Sequence, residues 1–234
     1  MTYNKSKQTL KFHYNSILIR DMCIHFNFDF KKAAQSLNYL AKKFGGKINK
    51  MKAIKLIYFA DRYHLRKYGR PVTNDEYVAM EYGPVGSKTK DIAENSSFLD
   101  TIESEYNKQY IEKQDIYDIQ SVHDVAMNVF SDSDIEALEF AIKYFGHLDQ
   151  FQLAKVSHAY PEWKRFEKKL ESGSGSVFNM DYEDFFKDAV PGNEHLAPLE
   201  GKDLFVMDTD DKEEMLNYVK EQMELKNQWE QIPD

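Results

Sequence analysis

The chain has a single cysteine, Cys23, and no apolar run that approaches the ~20 residues needed to cross a membrane. The longest comparable stretch is Leu56 to Ala60. One cysteine excludes an internal disulfide and suits a reducing compartment. The N-terminus also lacks the apolar core of a signal peptide, because lysine, asparagine and histidine interrupt every short run. We therefore expect a soluble, cytoplasmic protein.

Motifs for catalysis and metal binding are also missing. None of the seven histidines forms an HExxH motif or an i, i+4 pair. The glycines at 45–46 lack the spacing of a phosphate-binding loop, and nothing around Cys23 marks a nucleophile with its base. Local ion pairs explain Asp61, Arg62 and His64, which share a predicted helix, as well as a catalytic cluster does. We expect no catalytic residue, no metal, no cofactor and no enzymatic activity.

The chain does contain enough apolar material for a packed core. Its 234 residues are 42% hydrophobic and 14% aromatic, and a chain of this length buries most of the surface that its unfolded form exposes. Apolar residues recur mainly at three- and four-residue steps, which predicts a mainly α protein of the α+β class. We expect a compact helical domain with a small β-hairpin or short sheet, followed by an acidic helical appendage.

Capping signals place the predicted helices. Asp29 is a candidate N-cap for a first helix that the glycines at 45–46 end, and Asn49 opens a second helix that Gly69 closes. The run 131–134, Ser-Asp-Ser-Asp, is the clearest helix start in the chain. Further helices are predicted around residues 87–95, 150–158, 161–170 and 209–231.

Two segments are predicted to be extended. Residues 77–80 favour a short strand, which Gly83 and Pro84 stop because the residue before proline avoids helical geometry. Residues 101–120 carry isoleucine and tyrosine between polar residues, a pattern that favours a β-hairpin.

Composition divides the chain into four parts. Residues 1–28 form an N-terminal arm, and residues 29–170 form the helical domain. A glycine- and serine-rich linker at 171–176 is flexible by composition. Residues 177–234 form an acidic C-terminal extension that carries the terminal helix.

Charge changes sign along the chain. Residues 1–70 hold 16 Lys/Arg against 3 Asp/Glu, whereas residues 181–234 hold 5 against 16. Four lysines crowd the start of the second helix, where the helix dipole disfavours cations: Lys47, Lys50, Lys52 and Lys55. This predicts an electropositive surface facing an acidic partner, nucleic acid or the chain's own acidic tail. The alternative is that the lysines only solvate helix faces.

Residues 134–158, two helices joined by a short turn, are a weak candidate for a DNA-binding helix-turn-helix. The second helix offers only Lys155 as a cation, and the region is acidic overall. Phosphate contacts dominate DNA affinity. This unit is therefore a poor DNA reader, and any nucleic-acid binding falls to the basic N-terminal half.

Tyrosine and arginine concentrate between residues 58 and 82. The five tyrosines either pack in the core with their hydroxyls at the surface or belong to an interface. Tyr- and Arg-rich patches anchor many protein–protein contacts. The candidate partner-binding residues are Arg62, Arg66, Arg70, Tyr63, Tyr82, Lys50 and Lys52.

The stretch 55–85, KLIYFADRYHLRKYGRPVTNDEYVAMEYGPV, joins an aromatic helix, an Arg-Pro turn and a short extended segment. AAQSLNYLAKKFGGKINKMKAIKLIYFAD leads into it, and FSDSDIEALEFAIKYFGHLDQFQLAKVSHAYPEW follows downstream. The three blocks, in this order, resemble the Panacea domain of SocA-like antitoxins over residues 33–166. The motif positions that carry the resemblance are Gly69, Pro71, Gly83, Pro84, His158 and Trp163.

The resemblance implies an antitoxin of a two-gene toxin–antitoxin system. Such a protein binds its cognate toxin, here the product of the adjacent gene, and neutralises it without catalysis. Family members are paired with translation-blocking toxins, including small alarmone-synthetase-like enzymes, and a SocA-type member delivers its toxin to a protease instead. Protease delivery and a nucleic-acid-binding regulator that uses the basic N-terminal half stay open as alternatives.

Overall fold

The structure is a computed structural model that describes residues 24–199 and 204–230. It is mainly helical and carries two small antiparallel sheets, so the predicted α+β class is confirmed. Cys23 and most of the predicted N-terminal arm lie outside the described residues. In the described ranges, no helix is both long enough and apolar enough to cross a membrane.

Helices and short strands are interspersed along the described residues. The helices are α1 (Phe30–Lys43), α2 (Lys50–Tyr68), α3 (Ser87–Glu94), α4 (Thr101–Tyr110), α5 (Asp132–Phe145), α6 (Gln150–Ser157), α7 (Pro161–Lys164), α8 (Glu167–Glu171) and α9 (Thr209–Glu230). The strands are β1 (Lys47–Asn49), β2 (Tyr77–Met80), β3 (Gly83–Gly86), β4 (Ile111–Lys113), β5 (Asp118–Ser121) and β6 (Phe178–Asn179). Short 3₁₀ turns cover Met127–Val129, Tyr182–Phe186 and Glu194–Leu199.

Most predicted helix ends are confirmed by their caps. The Asp29 side chain accepts from the backbone N–H of Lys32 at 3.0 Å, and the Asn49 side chain accepts from that of Lys52 at 3.2 Å. Gly69 ends α2 in the left-handed region, at φ +76°, where glycine is favoured. Ser131 opens α5 with the predicted capping box.

The core is built around α2, which packs against α5 on one side and α6 on another. Phe59 of α2 is fully buried and stacks on Phe145 of α5, with ring centroids 4.0 Å apart. Phe205, far along the chain, stacks on Phe59 as well, at 6.2 Å. These rings bury a large apolar area at the centre of the molecule.

Both sheets lie beside α2. The first has the order β1-β5-β4, with Ile48 opposite Ile119. The second has the order β3-β2-β6, and its β2–β3 hairpin turns at residues 81–82, directly before Gly83 and Pro84. The predicted strand at 77–80 is therefore confirmed, and Gly83 begins a second strand rather than ending the extended segment.

The hairpin predicted over residues 101–120 is wrong in its first half. Residues 101–110 form α4, and only β4 and β5 are extended. The reason is a capping box at the helix start: the Asp100 side chain accepts from the Glu103 N–H, and the Glu103 side chain accepts from the Asp100 N–H. These reciprocal bonds satisfy two backbone donors, which favours a helix over a strand.

The acidic C-terminal segment packs into the same core as the helices. After residues 171–176, β6 pairs with β2. The aromatic residues that follow are buried: Tyr182, Phe185, Phe186 and Phe205. The segment is acidic overall, yet its aromatic side chains are part of the apolar core. Its net charge alone does not indicate this burial.

Candidate functional site

Helix α2 carries an unusual number of buried polar side chains. Lys55, Asp61, Arg62, His64 and Arg66 are each at most 3% exposed. A buried charge without a partner is very costly, so each of these groups must be paired or neutral. Their partners determine what this part of the molecule can do.

Arg62 pairs with Glu162 at the start of α7, with 2.9 Å between Nε and Oε1. The Tyr58 hydroxyl donates to the same carboxylate oxygen at 2.6 Å. Burial raises the pKa of Glu162, and the charge of Arg62 opposes that rise. The guanidinium also lies over the Tyr160 ring, 4.4 Å from its centroid. The pair fastens α7 to the middle of α2.

Arg62 and Arg66 also hold the C-terminal segment. Arg62 donates to the carbonyls of Phe185 at 2.8 Å and Lys187 at 2.7 Å, and Arg66 donates to the Phe185 carbonyl at 2.8 Å. Arg66 forms a salt bridge with Asp188 as well. Arg62 and Arg66, both predicted to bind a partner protein, are buried at 0% and 3% exposure, and backbone carbonyls of the same chain accept from them.

Asp61 fixes the turn that contains Pro71. Its Oδ1 accepts from the backbone N–H groups of Val72 at 2.8 Å and Thr73 at 3.0 Å, and its Oδ2 accepts from the Tyr77 hydroxyl at 2.9 Å. Burial raises the pKa of Asp61 to about 7, although the hydrogen bonds from Thr73 and Tyr77 oppose the rise. The Arg-Pro turn is thus tied to both α2 and β2.

Asp134 pairs with cations from two places in the chain. It lies 2.7 Å from Lys32 Nζ of α1 and 2.9 Å from Arg70 Nη2. Burial alone would raise its pKa, but the hydrogen bond from Lys32 and the charge of Arg70 outweigh burial and lower it. Arg70, a predicted partner-binding residue, therefore forms an ion pair within the chain. Its side chain is 34% exposed.

His64 lies beside this pair and is neutral, because burial lowers its pKa to about 4. Its Nδ1 is 2.6 Å from the Arg70 carbonyl, and its Nε2 is 2.9 Å from the Ser133 hydroxyl. A carbonyl can only accept, so Nδ1 carries the proton and Nε2 accepts from Ser133. The ring therefore braces the end of α2 against the start of α5.

Gly83 and Pro84, the first residues of β3, lie against buried polar groups. Gly83 has φ +95°, and a Cβ added there would lie 2.3 Å from Ser157 Oγ. The Lys55 ammonium donates to the Pro84 carbonyl at 2.5 Å. Burial lowers the pKa of Lys55 to about 7. Glycine at position 83 is therefore required both by its backbone conformation and by the lack of space.

His158 and Trp163 hold the other side of this hairpin. Their rings stack with centroids 3.6 Å apart, and Trp163 Nε1 donates to the Met80 carbonyl at 2.8 Å. Burial lowers the pKa of His158 to about 3, so the ring is neutral. The motif positions that the sequence singled out thus surround one hairpin and one turn next to α2.

The remaining predicted partner-binding residues differ in exposure. Lys50 lies 3.8 Å from Glu94, and Lys52 donates to the carbonyl of Gly146 at 2.7 Å, where it caps α5. The Tyr63 hydroxyl donates to Glu136. Tyr82, at 54%, is the one member of the predicted set that is classed as exposed.

Acidic residues of the same chain neutralise much of the predicted basic surface. Five lysines of the N-terminal region each lie within 3.0 Å of a carboxylate: Lys32 with Asp134, Lys42 with Asp124, Lys43 with Glu139, Lys47 with Asp118 and Lys67 with Glu136. Hydrogen bonds from Lys67, Tyr63 and Tyr68 lower the pKa of Glu136 to about 2. All five carboxylates lie between residues 118 and 139, so they do not come from the chain's own acidic tail, which was one of the partners predicted for this surface.

Helix α9, predicted at 209–231, runs from Thr209 to Glu230 and exposes Tyr218, Leu225 and Trp229. Across the described part of the chain, no group of three or more histidine, cysteine, aspartate or glutamate side chains is arranged to hold a metal ion.

Comparison with known protein families gives one match. Residues 54–164 match the family described as Antitoxin SocA-like, Panacea domain. The match confirms the resemblance over this segment, which begins within α2 and ends with α7, and it starts later than the predicted residue 33. No curated protein and no solved structure matches the chain. The family suggests an antitoxin role and a toxin as partner.

Proposed function

Taking residues 54–164 as a Panacea-type segment, we propose that this chain is an antitoxin that neutralises a cognate protein toxin by binding it directly, without catalysing a reaction. The family match carries this proposal. The toxin is proposed to be the product of the adjacent gene, and the site of action to be the cytoplasm.

The burial of the polar residues in the matched segment supports a non-catalytic role. A catalytic group must reach its substrate. Asp61, Arg62 and Glu162 are at most 1% exposed, and each bonds to another part of the same chain. These groups therefore act as cross-links that hold the domain in one shape. A binding protein needs a fixed shape in order to present a preorganised surface.

The ion pairs of the N-terminal lysines weaken the nucleic-acid alternative. Binding to phosphates requires cations that can exchange their counterions for the nucleic acid. Lys43 and Lys47, for example, already lie 2.6 Å from Glu139 and 2.9 Å from Asp118. The described part of the basic half therefore offers fewer available cations than its composition indicates.

A growth assay tests the proposal. The neighbouring gene is expressed from an inducible promoter, alone and together with this chain, and toxin levels are followed by immunoblotting. A tagged copy of this chain is then used for co-purification. As a matched control, the chain carrying Phe98→Ala, a change at a side chain that is 86% exposed and outside α9, is expected to protect equally well.

Growth inhibition by the neighbour, rescue by this chain and a stable complex at an unchanged toxin level are the results expected for neutralisation by binding. Rescue without a complex, with a falling toxin level, would replace direct neutralisation by delivery to a protease. A neighbour that does not inhibit growth, or that this chain does not counteract, would overturn the antitoxin proposal.

A further inference from the structure

Helix α9 has an inner face that packs on the rest of the molecule. Val219 is fully buried, and Gly69, at the end of α2, lies against this helix. Lys220 is only 6% exposed and pairs with Glu183. The inner face therefore has a partner within the chain and fixes how α9 is oriented.

The outer face of α9 carries a second set of apolar residues. Tyr218, Leu225 and Trp229 are separated by seven and four residues, about two turns and one turn, so they form one stripe along the helix. They are 49%, 48% and 72% exposed. Exposed tryptophan and tyrosine in one contiguous stripe are typical of contact surfaces rather than of solvated helix faces. We call this stripe the outer stripe.

Carboxylates border the outer stripe. Asp211, Glu214 and Glu221 are exposed, and none of them forms a salt bridge with another described residue. Two of the three lysines of the helix are directed elsewhere, because Lys212 pairs with Asp188 at 2.8 Å and Lys220 pairs with Glu183. The acidic residues that face α1 and α2 neutralise lysines, whereas these three carboxylates leave the outer stripe with a negative border.

The outer stripe also adjoins the family-matched segment. A Cβ added at Gly69 would lie 3.0 Å from Cε1 of the Tyr218 ring. Gly69 closes α2, and the matched segment runs from 54 to 164. A partner seated on the outer stripe would therefore reach the end of the central helix of that segment.

We propose that the outer stripe of α9 and its acidic border are the surface that docks the toxin. This rests on the proposed antitoxin function. The occupant is a groove on the toxin that has an apolar floor for Tyr218, Leu225 and Trp229 and lysine or arginine side chains on its rim. A helix laid in a groove with complementary charges is a common mode of protein recognition.

The charge of the border decides against other occupants. In a two-fold dimer of this chain, the same face meets itself, and Asp211, Glu214 and Glu221 would be brought close to their own copies, which is repulsive. Nucleic acids and anionic membrane surfaces carry negative charge and are repelled as well. A basic protein surface is the occupant that both the aromatic residues and the carboxylates favour.

The test uses full-length variants and the purified product of the neighbouring gene. One variant removes the apolar contacts (Leu225→Ala with Trp229→Ala), and another reverses the border (Asp211→Lys, Glu214→Lys and Glu221→Lys). Their matched controls alter exposed residues outside α9: Phe98→Ala with Ile102→Ala, and Glu105→Lys, Glu112→Lys and Glu171→Lys. These control positions are exposed in the free chain. Thermal unfolding of each variant establishes that it is folded.

Dissociation constants are measured by titration calorimetry at low and high salt. We expect both outer-stripe variants to bind at least about tenfold more weakly than the wild type, which corresponds to a loss of about 1.4 kcal/mol or more. The controls bind like the wild type, and only the border variant loses the salt dependence of binding. Acrylamide quenching of Trp229, which is 72% exposed, falls when the complex forms.

Several results would overturn the inference while leaving the antitoxin function intact. In each of them the wild type binds the neighbour's product. The first is that both outer-stripe variants bind the neighbour's product as tightly as the wild type does. The second is that, in the free chain, removing residues 1–23 increases the acrylamide quenching of Trp229. That result would make residues 1–23 the occupant of the outer stripe. The third is a dimer of the free chain that Leu225→Ala with Trp229→Ala dissociates. If the wild type itself fails to bind, the proposed function fails instead.

Discussion

Arg62 and Glu162 form an ion pair, 2.9 Å between Nε and Oε1, in which neither side chain is exposed. The two residues lie near opposite ends of the segment 54–164 that matches the Panacea family. The same guanidinium donates to the carbonyls of Phe185 and Lys187, beyond that segment. One side chain therefore joins the beginning of the matched segment, its end and the C-terminal region of the chain.

Replacing Glu162 by glutamine is expected to destabilise the fold strongly. The change leaves the Arg62 charge buried without its counter-ion, and breaking one side of a buried pair typically costs about 3–5 kcal/mol. The free energy of unfolding, measured by urea denaturation, gives the cost. Glu94→Gln is the matched control, because Glu94 pairs with Lys90 at the surface and such pairs contribute less than about 1 kcal/mol. Equal losses for the two variants would contradict the role given to Arg62.

Lys55 is expected to make stability depend on pH. Burial lowers its pKa from 10.5 to about 7. Below pH 7 both the folded and the unfolded chain hold the proton. Between pH 7 and 10.5 the unfolded chain binds more protons, so the free energy of unfolding rises with pH, by up to about 1 kcal/mol for each pH unit.

Lys55→Met removes this titration. We expect it to be stabilising relative to the wild type below pH 7, with an advantage that shrinks as the pH rises toward 10.5. Urea denaturation across this range measures the difference. Lys155→Met, at an exposed position, serves as the matched control. A Lys55→Met curve parallel to the wild type would contradict the assignment of a buried, titrating lysine.

Gly83→Ala is expected to destabilise more than Gly173→Ala. Both glycines have positive φ, +95° and +69°, so both substitutions carry backbone strain of about 1 kcal/mol or more. Only at position 83 does the added Cβ also meet a neighbour, Ser157 Oγ at 2.3 Å, whereas nothing lies within 4 Å at position 173. Melting temperatures measure both effects. Combining Gly83→Ala with Ser157→Ala restores part of the loss, and no restoration would count against the steric explanation.

Removing residues 177–234 is expected to abolish cooperative folding. The truncation takes away Phe185 and Phe205 from the core and removes the backbone carbonyls that accept from Arg62 and Arg66. A shorter truncation that removes only residues 209–234 keeps these contacts and retains a cooperative transition at a lower melting temperature. Near-ultraviolet circular dichroism and thermal unfolding distinguish the two chains. A 1–176 chain that melts like the full chain would contradict this prediction.

The sequence predicted the local structure best where caps and glycines mark it. Asp29, Asn49, Gly69 and the Ser131 capping box all act as expected, because each satisfies backbone groups within a few residues. The α4 helix was missed although its signal was present. Asp100 and Glu103 have capping-box spacing, and the isoleucines and tyrosines that follow obscured it.

Local sequence patterns could not predict the contacts between distant parts of the chain. Arg62 and Arg66 looked like interface residues because arginine is usually exposed, yet their acceptors come from residues more than a hundred positions later. The lysines of α1 and α2 looked like a basic surface because their carboxylate partners follow in another region. Net charge along a sequence does not report which charges meet in the fold.

Direct binding to the neighbour's product is the claim that most needs measuring. The purified full-length chain and that product are mixed in increasing ratios, and the complex is followed by size-exclusion chromatography with light scattering, alongside an assay of the product's toxic activity. We predict a complex of fixed stoichiometry. Complex formation is complete at the same mixing ratio at which the toxic activity of the product is fully lost. Full toxic activity in the presence of an excess of this chain, or inhibition without a complex, would contradict neutralisation by binding.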